Sequence, residues 1–244
     1  RDMKKVLITL CIACVAISAY AVEIPKQGFG VQIGWAQPIL RLNDPSGLYP
    51  KDSLVNTTKL NGLKVGLVYD ASYIAGFGSS MGINYTFAAG GTNWRRKNNI
   101  TDYPQIKDKM LYHELEVFVD WQYKFELAKE TYIIVYTGPS IQCGLAFSSQ
   151  QDERDIDGNI KQDPSKTVGY YTTDDYQALK RLNVTWGLGA GFQYKQYFLR
   201  GGYDFGILNP YKNTTFIGKN EDRYTRGRLD QWSIKVGMYL WYEK

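Results

Sequence analysis

The chain has 244 residues, with 29 Lys+Arg against 24 Asp+Glu, a single His and a formal net charge of +5. That basic excess is too small for a nucleic-acid binder, and one histidine leaves little material for general-base or metal chemistry. The abundant residues are 20 Tyr, 24 Gly and 6 Trp, with only 8 Pro, a composition of many strands rather than of a helical bundle or a disordered chain.

Residues 3–21 read as a cleavable signal peptide. Met3-Lys4-Lys5 supplies the positive start, Val6 to Ala21 is apolar or small throughout, and Ala19-Tyr20-Ala21 is the small-x-small pattern at which cleavage is expected. The run is short of the roughly 20 apolar residues a spanning helix needs. A lipid attachment site is not formed, because Cys11 follows Leu10 and Cys14 has Cys11 three residues before it. Cleavage removes two of the 3 cysteines and leaves Cys143 without an intramolecular partner. Residues 22–244 are expected to form one domain.

In that domain eight segments alternate large apolar residues with small or polar ones. In chain order their apolar sets are Phe29 to Trp35, Leu63 to Tyr69, Phe77 to Phe87, Leu115 to Tyr123, Ile133 to Phe147, Val184 to Tyr194, Tyr197 to Ile207 and Trp232 to Tyr242. In the fifth, Pro139 is expected to mark a bulge. Period two fits a soluble barrel or sandwich with its apolar face inward, and equally a membrane barrel with that face outward. Three features favour the membrane version. The segments reach the length of a tilted membrane strand. Their polar face is rich in glycine, as a narrow eight-stranded interior requires. Aromatics collect at segment ends on the apolar face: Phe29, Phe77, Trp121, Tyr123, Tyr194, Tyr197 and Tyr242 at one rim, Trp35, Phe87, Phe147, Trp186, Phe205 and Trp232 at the other. The predicted fold is all-β, an eight-stranded antiparallel up-and-down transmembrane β-barrel.

The connections alternate long and short, which places both termini in the periplasm and the long loops outside. Near the carboxyl end, Gly237, Leu240 and Tyr242 follow the glycine-hydrophobic-aromatic spacing read by the barrel assembly machinery, although the terminal residues are Glu243-Lys244.

Several stretches resemble a known family. They are Gly138-Pro139-Ser140, the run Gly187-Leu188-Gly189-Ala190-Gly191-Phe192-Gln193-Tyr194-Lys195, the run Phe198-Leu199-Arg200-Gly201-Gly202-Tyr203-Asp204-Phe205-Gly206, and Gln231-Trp232-Ser233-Ile234-Lys235-Val236-Gly237. Their order is similar to that in the small porin-family outer-membrane barrels of Bacteroides-type bacteria (PorT-like), related in build to the OmpX and OmpA barrels. The resemblance implies an eight-stranded barrel in the bacterial outer membrane and implies no reaction.

The residues that could carry chemistry are few. On the polar face, Lys64, Arg181, Arg200 and Lys235 stand against Asp70, Glu114, Glu116, Asp120 and Asp204. Near balance of sign predicts a salt-bridged filling rather than the one-sign ring of a selective pore. His113 falls on the lipid side by parity, with no serine in phase, so no catalytic triad is expected. Asp155-Ile156-Asp157-Gly158 fails as a calcium loop, because the twelfth position is Lys166, and reads as a turn. Two loops are basic: Trp94, Arg95, Arg96 and Lys97 in one, Arg223, Arg226 and Arg228 in the other. Facing an anionic leaflet, they would contact lipopolysaccharide. The expected protein is therefore a monomeric, non-catalytic, loop-displaying scaffold without cofactor, metal or nucleic acid. Its expected partners are outer-membrane lipids, lipopolysaccharide and, during biogenesis, the assembly machinery. A narrow passive porin and an accessory barrel of a secretion complex are the alternatives.

Overall fold

The computed structural model describes residues 27–43, 57–91, 95–96, 105–155, 157–162, 179–210, 215–218, 221–224 and 226–243; the expected signal peptide, 3–21, lies outside them. Twelve strands follow in chain order: β1 (Gln27–Asn43), β2 (Thr57–Ile74), β3 (Phe77–Gly91), β4 (Arg95–Arg96), β5 (Gln105–Ala128), β6 (Thr131–Arg154), β7 (Ile160–Gln162), β8 (Leu182–Tyr194), β9 (Tyr197–Gly206), β10 (Thr215–Gly218), β11 (Glu221–Tyr224) and β12 (Arg226–Glu243). Eight of them close a ring of antiparallel neighbours, β1-β2-β3-β5-β6-β8-β9-β12, with β12 pairing back on β1. Closure leaves no unpaired edge, the condition a sheet must meet in hydrocarbon. The short strands extend it: β4 pairs β5, β7 pairs β6, and β10 pairs β11.

The faces follow the alternation. Val31, Ile33, Leu67, Ile83, Val117, Ile141, Leu188, Leu199, Ile234 and Val236 point outward and are exposed, while Lys64, Asn84, Glu116, Gln142, Thr185 and Arg200 are buried inside. An apolar exterior around a polar interior is the surface of a membrane barrel. At one rim the connections are tight, through Ala75-Gly76, Lys129-Glu130 and Lys195-Gln196. Ala75, Glu130 and Lys195 adopt φ of 43°, 58° and 53°, the left-handed conformation that matches a hairpin turn to strand twist. Gln27 and Glu243 pair at the same rim.

The sequence reading places a bulge at Pro139 and passes over the two that turn Phe147 and Tyr242 inward. Pro139 pairs with Trp186 without a shift of register. The bulge in β6 lies at Leu145 instead, between the pairs His113↔Ala146 and Glu114↔Gly144. It turns Phe147 away from the lipid belt and packs it against an interior cluster with Tyr112. In β12, Phe29 pairs Trp241 and Gly30 pairs Tyr239, so Leu240 is the extra residue. Trp241 therefore faces out and Tyr242 turns in against Tyr239. One inserted residue reverses every following side chain. The Trp121 and Trp186 rings lie 5.9 Å apart on the outer wall.

Candidate functional site: the filled barrel interior

The interior is built in tiers by inward residues of every barrel strand. In the turn-side half, Val68, Phe118, Phe198 and Tyr239 form an apolar cluster, with Tyr242 packed against it. Gly237 faces the Phe198 ring, which occupies the space a Cβ would need.

Beside this cluster sits Arg200, 1 % exposed. It donates to Asp70 at 2.7 Å, Ser80 at 2.6 Å, and Gln122 and Tyr239 at 3.2 Å each. Its guanidinium carbon lies 5.1 Å from the Phe198 ring centre and 5.9 Å from that of Tyr136. In the eight-strand ring β9 lies opposite β3, so the Arg200–Ser80 bond crosses the whole lumen. Asp70 also takes Lys124 at 3.1 Å and the Tyr239 hydroxyl, and Lys124 reaches on to Gln193 at 3.1 Å. One carboxylate thus neutralises two buried cations, each further held by neutral acceptors.

The middle tier centres on Lys64, which pairs Glu116 at 2.6 Å and donates to Gln231. Asn84 donates to Glu116 at 2.9 Å and accepts from Gln32 at 2.6 Å. Lys235 lies 5.3 Å from the Phe118 ring centre, and Asp204 faces the space beside Gly187. Asp120 is 8 % exposed. Toward the other rim Tyr112 donates to the buried Glu114, Ser140 and Thr185 share a hydrogen bond of 2.5 Å, and Asn183 donates to Gln142 at 2.8 Å. The tier above is apolar again: Leu40, Leu60, Ala88, Tyr112, Leu179 and Leu229, with Met110 and Phe147 against them.

Eight of the nine interior charges named from sequence lie in these tiers. Arg181 does not. It precedes β8 in an exposed bend, where its guanidinium donates to the carbonyls of Gly144 at 3.3 Å and Leu145 at 3.0 Å. The alternation does not extend past Leu182, so counting parity to 181 fails. Lys124 and the two apolar clusters escaped the sequence reading. Their signal was the continuation of inward parity beyond the belts, through Leu40, Leu60 and Tyr112 on one side and Lys124 on the other.

His113 lies on the outer wall, where its Nδ1 is 2.6 Å from the Tyr85 hydroxyl and its ring 4.9 Å from that of Phe87. Asp157-Gly158 forms the expected turn, held by the Asn159 N–H donating to Asp155 at 2.8 Å. Of the basic loop residues, Trp94 and Lys97 lie outside the described residues. Arg95 and Arg96 form β4, Arg223 lies in β11, and Arg226 opens β12. Arg228 stands on the barrel wall rather than in a loop.

No family model matches the chain and no curated protein matches it, so the porin-family resemblance rests on the residues quoted above. Solved structures do match. The attachment invasion locus protein Ail of Yersinia pestis, in complex with the heparin analogue sucrose octasulfate, is 11% identical, with 87% of this chain and 98% of that chain covered and a TM-score of 0.38. Neisserial surface protein A is 12% identical over 87% of this chain and 97% of that one, with a TM-score of 0.36. The translocator domain of the autotransporter NalP from Neisseria meningitidis is 10% identical over 98% and 95%, with a TM-score of 0.27. At such identities none of these proteins lends this chain a function.

Proposed function

We propose that this protein is a bacterial outer-membrane β-barrel, of the small porin-family type found in Bacteroides-type bacteria, that acts as a closed, non-catalytic scaffold displaying segments at the cell surface. The observation that carries the reading is the Arg200–Ser80 bond across the lumen, in a core of buried ion pairs capped by an apolar tier at the outer end. A barrel of eight strands has an interior just wide enough for its own side chains, and here they fill it. Solute passage is then not its work. The tight turns and the paired chain ends occupy the periplasmic rim, and the long connections face outward. Trp94, Arg95, Arg96, Lys97, Arg223, Arg226 and Arg228 contact lipopolysaccharide there as a monomer docks in the leaflet. Gly237 and Leu240, with Trp241 as the outward aromatic in place of Tyr242, present the last strand to the assembly machinery.

The test is epitope insertion with membrane fractionation. A tag after Gly158 is reached by antibody on intact cells, and one at Glu130 only after permeabilisation, both in the outer-membrane fraction. The opposite accessibility overturns the orientation, and recovery from the inner membrane overturns the location.

A further inference from the structure

Charge on the outer wall of a membrane barrel is costly in the hydrocarbon and tolerable near the interface. Just past the belt of Trp35 and Trp232, three strands assemble such charge. The β1–β12 register is unbroken from Gly30↔Tyr239 to Asn43↔Arg226. The pairs Ile39↔Asp230 and Arg41↔Arg228 therefore share the outward face of Trp35 and Trp232. Tyr203, opposite Trp232 on β9, packs on that face with ring centres 4.6 Å apart.

Asp230 is 0 % exposed although it faces outward. One carboxylate oxygen accepts the Gly206 N–H at 3.0 Å and lies 2.8 Å from the Arg228 Nε; the other accepts the Tyr203 hydroxyl at 2.7 Å, the Arg41 Nε at 2.8 Å and the Arg228 Nε at 3.0 Å. Both arginines thus spend Nε on the same acid. The Arg41 Nη2 also reaches the Tyr203 hydroxyl at 3.3 Å. The remaining terminal nitrogens have no partner among the described residues. The two side chains stay 41% and 46% exposed. Lys59, opposite Ile39 on β2, is exposed on the same face. One acid therefore fixes two guanidinium forks side by side, with a third cation two strands away on the same face. Arg228 lies four residues beyond Trp232, which is roughly 10 Å along the barrel axis for a tilted strand. From there the long side chains reach back to the headgroup level, where the rings of the belt sit.

We propose that Arg41, Arg228 and Lys59, oriented by Asp230, form a site for the phosphate group of a membrane lipid bound against the outer wall. Forked donors of fixed orientation suit a phosphate better than separate surface lysines do. The assignment of that lipid to the outer leaflet, and hence to the lipid A phosphates, rests on the outer-membrane reading above.

The test is native mass spectrometry of the full-length barrel in detergent, loaded with bis-phosphorylated lipid A or with the same lipid stripped of phosphate. Arg41→Gln with Arg228→Gln lowers retention of the phosphorylated lipid at least about tenfold, the size expected when charge-assisted bonds are lost, and leaves the stripped lipid unchanged. Arg41→Lys with Arg228→Lys keeps the charge, folds and still binds several-fold more weakly. Asp230→Asn separates orientation from charge count: it makes the site more positive, yet retention falls. Millimolar inorganic phosphate does not displace the lipid. Equal retention by either arginine double variant, stronger binding by Asp230→Asn, or displacement by inorganic phosphate would overturn the site. Heat-dependent gel migration confirms that each variant is a folded barrel. The epitope and fractionation experiment judges location separately, so either reading can fail alone.

Discussion

Removing Asp70 should damage this barrel more than removing either cation it holds. Asp70 is 2 % exposed and is the one carboxylate in contact with both Arg200 and Lys124 among the described residues. Breaking a buried pair costs about 3–5 kcal/mol, because the surviving charge is left desolvated. Lys124→Met leaves Asp70 still bonded to Arg200 at 2.7 Å, so its cost falls near the low end, about 3 kcal/mol. Asp70→Asn strands two cations at once and reaches the high end, about 5 kcal/mol. The triple variant Asp70→Asn, Lys124→Met, Arg200→Met buries no charge from this tier and recovers part of the loss. Its free energy is therefore not the sum of the single changes. The assay is urea unfolding of the refolded chain in short-chain phosphatidylcholine vesicles, read by tryptophan fluorescence and gel shift. An Asp70→Asn cost within about 1 kcal/mol of wild type would refute the reasoning, since charges in a water-filled lumen behave like surface pairs.

Three further outcomes follow from packing and facing. Gly189→Val collides with the Tyr136 ring and costs about 1–3 kcal/mol in the same unfolding assay; Tyr136→Ala in the same chain restores part of it. Deleting Leu240 removes the β12 bulge and keeps Trp241 outward and Tyr242 inward, so the chain still folds and Trp241 is still quenched by brominated acyl chains; loss of that quenching would contradict the bulge. Cys143 is exposed on the outer wall, so a nitroxide attached there collides with oxygen more than with a water-soluble nickel chelate. The reverse ratio would place that face in water.

The fold was legible because one face of each strand must be uniformly apolar and eight such faces were present. Residues such as Val31, Leu67, Val117 and Ile234 take their side from parity alone. What parity could not supply was where it breaks. The extra residues at Leu145 and Leu240 lie in stretches where both neighbours are apolar or small, so no pattern shows the shift, yet they turn Phe147 and Tyr242 inward. Pro139 suggested a bulge because it lacks an N–H, but its pairing with Trp186 tolerates that loss without a shift. The interior charges were legible as a set, and their partners were not. That Arg200 meets Ser80 and Asp70 depends on which strands lie opposite after closure. The Asp230 cluster was illegible for a similar reason: its residues come from β1, β9 and β12 and look like loop charge until the register places them on the wall.

The claim that the barrel is filled is tested most directly by single-channel recording of the refolded chain in a planar bilayer, after gel shift confirms a folded barrel. The account predicts no reproducible conductance steps, in wild type or at high salt. Steady steps whose size changes when Glu116 or Arg200 is replaced would show a continuous water path and contradict it.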